Sequence, residues 1–324
     1  MIVPLTLVDL EAAAALVHEV VPPTPQYAWP LLAGRLGAEI WVKHENHTPI
    51  GSFKVRGGLT YCDWLRREHP EVRGVIAATR GNHGQSVAFA ASRLGIAATV
   101  VVPFGNSREK NQAMAAFGAR LIEAGRDFDE AYAEARALAG REGLYPFPAY
   151  DPLLVRGVAS YGLELFRAVP DLDCAYVPIG LGSGISGMIA ARDALRRKTE
   201  IVGVVAEKAP AYALSFAAGE PRSTTSADTF ADGLACRIPD AAALSVIRRG
   251  AARILTVSES EIRRAMRILF TDTHNLAEGA GAAALAGALQ ERQRIAGKSV
   301  AVILSGGNID RELFAEILAE EGEG

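Results

Sequence analysis

The sequence predicts an α/β protein in two domains, each an open, mostly parallel sheet flanked by helices. Three observations carry this expectation. Strand and helix patterns alternate along most of the 324 residues. The strands are β-branched and apolar for their whole length, as strands covered on both faces are, and right-handed crossovers then make the sheets parallel. Pro146-Phe147-Pro148 interrupts the alternation and marks a place where the chain crosses between domains.

Thr6 to Val20 reads as an amphipathic helix capped near Thr6, and Pro22-Pro23-Thr24-Pro25 stops it and sends the chain on extended. Glu39 to Lys43 is a short strand, and Gly58 to Glu68 is helical. Strands follow at Gly74 to Thr79, Ala97 to Val102 and Arg120 to Glu123, with helices at Gly84 to Leu94, Ser107 to Phe117 and Asp127 to Arg141. Beyond the proline interruption come helix Pro152 to Phe166, strand Cys174 to Ile179, helix Ile185 to Arg197 and strand Glu200 to Ala206. Gly219 to Asp240, rich in Ser, Thr, Gly and Pro, reads as a long loop, and loops of that length are often functional. Ser258 and Glu261 form a capping box for a helix that runs to about Thr273. An Ala/Gly-rich helix from Glu278 to Arg294, a strand from Ser299 to Leu304 and a last helix from Asp310 complete the reading.

Composition narrows the classes. A hydrophobic content of 49% and a formal charge of -3 describe an ordinary soluble chain, with no call for nucleic acid or an anionic membrane as partner. Cys62, Cys174 and Cys236 are widely spaced and odd in number, which suits a reducing cytoplasm and argues against a disulfide framework or zinc knuckle. Asp9 and Glu11 within the first apolar stretch argue against a signal peptide. No uncharged apolar run reaches the roughly 18 residues that span a bilayer.

Four stretches carry chemistry. In Gly51-Ser52-Phe53-Lys54-Val55-Arg56-Gly57-Gly58 a lysine follows an apolar run and a polar turn. Burial there lowers its pKa and frees the amine as nucleophile or base, although a lysine beside a glycine-rich turn is commonly a surface residue. Thr79-Arg80-Gly81-Asn82-His83-Gly84-Gln85-Ser86 is a strand-loop-helix junction whose N–H groups suit a carboxylate; its ordinary reading is a turn and a cap. Gly180-Leu181-Gly182-Ser183-Gly184-Ile185-Ser186-Gly187 is a glycine-rich turn opening a helix, which suits a phosphate. Gly182, Gly184 and Gly187 also spell G-x-G-x-x-G with Glu207 about 20 residues on, so a nicotinamide oxidoreductase competes. Ser305, in Leu304-Ser305-Gly306-Gly307-Asn308, stands at the carboxyl end of a buried strand, where ligands bind in open α/β sheets, or else caps the helix that follows.

In this order, and with Pro22-Pro23-Thr24-Pro25 ahead of them, these stretches resemble the pyridoxal-phosphate enzymes of fold type II, the tryptophan-synthase-β-like group, and within it the serine/threonine dehydratases, including catabolic threonine and phenylserine dehydratases. The resemblance covers essentially the whole chain. It outweighs the nicotinamide reading, which leaves Lys54, Asn82 and Ser305 unexplained.

The resemblance implies pyridoxal 5'-phosphate as cofactor and no catalytic metal. Lys54 is then the Schiff-base lysine and catalytic base, Asn82 faces the phenolic oxygen, Gly180, Leu181, Gly182, Ser183 and Gly184 hold the phosphate, and Ser305 meets the pyridine nitrogen. Ser52, Thr79, Arg80, Gly81, Asn82 and His83 are the implied substrate contacts. Residues 1–52 and 147–324 make a large cofactor domain and 53–146 a small one in a cytoplasmic homodimer. The implied reaction is elimination from an L-3-hydroxy amino acid, of threonine or serine type or a β-aryl serine such as phenylserine, giving a 2-oxo acid and ammonia. A β-replacement synthase of the same fold is the alternative, but its Thr-Ser-Gly-Asn-Thr loop differs from Thr79-Arg80-Gly81-Asn82-His83.

Two departures refine the expectation. Related serine racemases carry a serine where this chain has Arg80, which argues against racemisation. The family's cation-binding glutamate aligns with Val205, which leaves a structural metal without that ligand. The sequence stops soon after Ser305, so a C-terminal regulatory domain is not expected, as in a catabolic enzyme.

Overall fold

The computed structural model describes residues 5–320. Helix α1 (Leu7–His18) opens with a reciprocal capping box between Thr6 and Asp9. Strand β1 (Gln26–Ala28), helix α2 (Pro30–Leu36) and strand β2 (Glu39–His44) follow. Next come α3 (Lys54–Glu68), β3 (Gly74–Ala78), α4 (Asn82–Ser92), β4 (Ala97–Val102), α5 (Arg108–Ala116), β5 (Arg120–Glu123), α6 (Phe128–Glu142) and β6 (Tyr145–Pro146). The chain continues through α7 (Pro152–Ala168), β7 (Cys174–Pro178), α8 (Ser183–Ala194), β8 (Glu200–Ala206), α9 (Ala211–Ala218), α10 (Ala241–Gly250) and β9 (Ala251–Val257). It ends with α11 (Glu259–Thr273), α12 (Gly279–Gln290), α13 (Arg292–Ile295), β10 (Ser299–Leu304) and α14 (Arg311–Ala319).

Two sheets result. The larger has the order β1-β2-β10-β7-β8-β9, parallel except for the β1–β2 pair, and the smaller is β5-β4-β3-β6, parallel throughout. The two-residue period of a strand sorts its side chains between two cores. Val300, Val302 and Leu304 of β10 join α11 and α12 in one apolar cluster, while Ala301 and Ile303 join α7 and α8 in another. Both faces are therefore covered, which is why these strands read as continuous apolar runs.

Several elements differ from the sequence reading. Helix α3 starts at Lys54 and runs through Gly57 and Gly58. Both glycines serve close packing: a Cβ on Gly57 would lie 2.9 Å from the Leu154 carbonyl oxygen, and one on Gly58 would lie 2.2 Å from Ser86 Oγ. Strands β1 and β6 are two or three residues long and take their identity from pairing alone. Helix α2 uses Pro30 in its first turn, where a missing N–H costs nothing. Strand β9 is an edge strand, mostly half-buried, and it followed α10 without any turn signal. Helix α9 was likewise absent from the reading, and the long loop holds one 3₁₀ turn, Asp232–Leu234.

Beneath the start of α3 lies a buried ionic cluster. The Arg56 guanidinium donates to Glu45 at 2.7 and 2.9 Å, to Glu164 at 2.6 and 3.0 Å and to Ser160 Oγ at 2.9 Å. Lys43 Nζ donates to Glu164 at 2.5 Å and to the Thr24 carbonyl at 2.7 Å. Arg56, Lys43 and Glu45 are wholly buried, so the cluster ties β2, α3 and α7 together two residues from Lys54.

Candidate active site

The carboxyl ends of β3, β6, β7 and β10 converge on one cavity of about 970 Å³. Its walls include Lys54, Thr79, Arg80, Gly81, Asn82, His83, Gly180, Leu181, Gly182, Ser183, Gly184 and Ser305. Every site residue chosen from the sequence lines it except Ser52. Ser52 is wholly buried behind the wall, bridged to Gly306, and its hydroxyl has no partner.

Lys54 is placed by the end of β10. The Phe53 N–H donates to the Ser305 carbonyl at 3.1 Å, and the Gly307 N–H donates to the Gly51 carbonyl at 2.9 Å. Ser86 Oγ in turn donates to the Lys54 carbonyl at 2.6 Å. The Lys54 amine lies 3.4 Å from Ser183 Oγ and 5.1 Å from the centre of the Phe53 ring. Burial lowers its pKa to about 8, against a smaller upward pull from the Glu278 carboxylate.

The glycine loop runs from β7 into α8. Gly182 has φ +102°, a conformation that side chains rarely adopt, and it caps the helix. Two buried tyrosines hold the loop from behind: Tyr212 donates to the Leu181 carbonyl and Tyr161 to the Gly184 carbonyl, each at 2.8 Å. With those carbonyls engaged, the loop's N–H groups open the 12-residue helix α8 on its positive end, a ready anion site.

The Thr79 to His83 loop is folded by its own threonine. Thr79 Oγ1 accepts from the N–H of Gly81 at 3.0 Å and of Gly84 at 3.3 Å, so its role here is to shape the loop. His83 packs 5.7 Å from Phe147, and burial, with the Lys54 charge, drives its pKa down to about 3, so it stays neutral. Arg80 is half-buried in the cavity wall and has no hydrogen-bond or ion-pair partner among the described residues. Ser305 is buried at the end of β10, and the following helix is capped by Asp310, so Ser305 is not its cap.

Three contributors escaped the sequence reading. Glu278, read there as the start of a helix, is buried at the foot of α12 and accepts from Asn82 Nδ2 at 2.6 Å. Lys110 of α5 reaches Asp232 at 2.7 Å and Glu278 at 3.4 Å. An aromatic wall of Phe128, Tyr132, Phe147 and Tyr150 faces the same cavity. One signal was available for Glu278: a lone carboxylate opening a run of Ala and Gly.

The donor set fits pyridoxal phosphate. A helix N-terminus for the phosphate lies within reach of a lysine of lowered pKa, and a side-chain amide and a hydroxyl stand by for the ring. The nicotinamide reading gives Lys54, Asn82 and Ser305 no shared purpose, yet all three line this cavity.

Comparison with known proteins agrees. Residues 17–306 match the family model described as pyridoxal-phosphate dependent enzyme. The chain is 34% identical to an L-threonine ammonia-lyase of Thermotoga maritima over 315 residues, covering 97% of this chain and 78% of the relative. It is 34% identical to an L-threo-3-hydroxyaspartate ammonia-lyase of Saccharomyces cerevisiae over 325 residues, covering 100% of this chain and 99% of that one. The solved structure of the processed form of threonine deaminase isoform 2 from Solanum lycopersicum superimposes with a TM-score of 0.89 at 30% identity, covering 98% of this chain and 96% of that one. The fold is therefore that of fold type II, and the chain belongs to the pyridoxal-phosphate dependent enzyme family, with pyridoxal 5'-phosphate as its cofactor.

Proposed function

We propose that the chain is a lyase that removes the β-hydroxyl of an L-3-hydroxy amino acid of threonine or serine type and releases a 2-oxo acid and ammonia. The relatives named as threonine and 3-hydroxyaspartate ammonia-lyases support this reading. The observation that carries it is the Lys54 amine, lowered to about 8 and set between the glycine loop and Ser305 in one cavity.

The bound cofactor supplies the electron sink that lets a proton leave the α-carbon. Lys54 Nζ takes that proton, since an amine of pKa near 8 is partly neutral at working pH. The backbone N–H groups opening α4 hold the substrate carboxylate, and Asn82 and Ser305 orient the ring. Ser305 offers a neutral hydroxyl, which supports a charged ring nitrogen less than a carboxylate does and so favours prompt elimination over long-lived charge. Arg80 stands where a second-face hydroxyl would and offers none to return a proton to the opposite face, so the reaction runs to elimination rather than racemisation.

The aromatic wall of Phe128, Tyr132, Phe147 and Tyr150 supports a β-aryl serine such as phenylserine as a further substrate. Arg80, unpaired among the described residues, favours as a second reading a substrate with a β-carboxylate such as 3-hydroxyaspartate. Residues 53–146 serve as the small domain, tied across the cavity by Lys110 to Asp232. The three cysteines are free and suit a cytoplasmic enzyme of amino-acid breakdown. Exposed Tyr27, Leu31, Phe270 and Leu276 offer apolar surface for a homodimer. Steady-state kinetics over threonine, serine, 3-hydroxyaspartate and phenylserine, with the 2-oxo acid identified, is the test. Release of 2-oxo acid from at least one is expected, and none from any of them would overturn the reading.

A further inference from the structure

We propose that Glu278 and Asn308 act as positioning residues that lock the Asn82 side-chain amide in one of its two rotations, leaving a single N–H to face the cofactor. The inference rests on the pyridoxal-phosphate reading of the cavity and assigns work to Glu278, in the cavity wall, and to Asn308, outside it.

An amide can turn end for end, and its nitrogen and oxygen are told apart only by their partners. Here the partners decide. Asn308 Nδ2 donates to the Ile50 backbone carbonyl at 2.8 Å, and a carbonyl oxygen can only accept. That fixes the Asn308 nitrogen, whose second hydrogen goes to the neighbouring Asn82 atom at 2.7 Å. The Asn82 atom receiving it is therefore Oδ1, which places Nδ2 on the other side.

There Nδ2 gives one hydrogen to Glu278 Oε1 at 2.6 Å. The turned amide would set Asn82 Nδ2 against Asn308 Nδ2 and Oδ1 against the Glu278 carboxyl, so two contacts become repulsive together. One Nδ2 hydrogen is left over, and Asn82 lines the cavity.

Glu278 is itself held. Its backbone N–H donates to the Gly306 carbonyl at 3.1 Å, and its second carboxyl oxygen lies 3.4 Å from Lys110 Nζ, which is anchored on Asp232 at 2.7 and 2.9 Å. A side chain on Gly306 would come within 2.4 Å of Glu278 Oε1 and 3.3 Å of Asn82 Nδ2, so glycine there lets the clamp close over the strand end. The orientation of Asn82 thus depends on β10, α12 and α5 together.

The test is the cofactor dissociation constant, by equilibrium dialysis, with the ratio of the two absorbance bands of bound pyridoxal phosphate. Asn308→Asp cannot donate and draws Asn82 Nδ2 toward itself, turning the amide. Loss of one hydrogen bond to a charged oxygen is expected to weaken binding about tenfold to a hundredfold and to shift the band ratio. Glu278→Ala is expected to do the same, while Glu278→Gln keeps an acceptor oxygen and should stay within about threefold of the parent. Unchanged binding and band ratio in Asn308→Asp would overturn the inference. So would a melting-temperature loss with no spectral change, or equal behaviour of Glu278→Ala and Glu278→Gln. A parent protein that fails to bind pyridoxal phosphate would instead overturn the cofactor reading beneath it.

Discussion

Arg56→Met would remove one of the two cations in the buried cluster under α3. Lys43 and Arg56 there balance Glu45 and Glu164, and all four are at most 6% exposed on their side chains. Without Arg56 the cluster is left with one cation for two carboxylates, and breaking a buried pair from one side costs about 3–5 kcal/mol. At about 2.1 cal/mol/K per residue the unfolding entropy of 324 residues is about 0.7 kcal/mol/K, so the melting temperature should fall by about 4–7 °C. Adding Glu45→Gln restores neutrality and should recover part of the loss. Arg56→Lys, which keeps the charge but not the two-pronged geometry, should fall between.

The pH dependence carries a sign. Burial raises the Glu164 pKa, but Arg56 and Lys43 together outweigh it and hold the carboxyl below its ordinary 4.5. A depressed carboxyl stabilises the fold above its unfolded pKa, and that contribution is lost as pH falls through the folded value. The gap between parent and Arg56→Met should therefore be widest near neutrality and narrow below about 4.5. Differential scanning calorimetry of the cofactor-saturated proteins measures all of this. A loss under about 1 kcal/mol, or no recovery on adding Glu45→Gln, would refute the reasoning.

Three further outcomes are expected. In the cofactor-free protein, Lys54 has a folded pKa of about 8 against an ordinary 10.5, so the unfolded chain binds more protons between them. Stability should rise with pH across that window relative to Lys54→Met, as followed by urea unfolding; parallel curves would contradict the assignment. Arg80→Ser should lose about tenfold or more in dehydration efficiency and gain α-proton exchange on D-serine or D-threonine, seen as deuterium uptake by NMR. Parent-like dehydration without exchange would place Arg80 outside the chemistry. Ser305→Asp should retain the cofactor but raise side reactions such as transamination relative to dehydration, and parent-like partition in that variant would reduce Ser305 to a structural residue.

The parts of the fold legible in the sequence are those set by local pattern. Strands such as Val300 to Leu304 announce themselves because both faces are buried, and the Ser258–Glu261 capping box was written in the residue order. What escaped depends on distant partners. Lys54 to Gly57 read as a turn ahead of a helix from Gly58, yet they form the first turn of α3, where Gly57 lets Leu154 approach closely. Strand β1 exists only through its pairing with β2, and β9 sits on the sheet edge, where half-burial blurs the apolar run. At the site, motif order marked Lys54, Asn82, the glycine loop and Ser305. Lys110 meets Asp232 and Glu278, 122 and 168 residues away along the chain, only after the two sheets come together. Ser52, which the motif marked, is tied to the end of β10 by a backbone bridge to Gly306, a partner 254 residues away that no local pattern announces.

The central claim is that Lys54 is the residue that holds the cofactor and moves the substrate proton. Borohydride reduction of the protein loaded with pyridoxal phosphate, followed by peptide mass mapping, tests it most directly. The cofactor should be found on Lys54, and Lys54→Ala should lose both the label and the release of 2-oxo acid. A label on another buried lysine such as Lys43 or Lys110, or undiminished turnover in Lys54→Ala, would contradict the account.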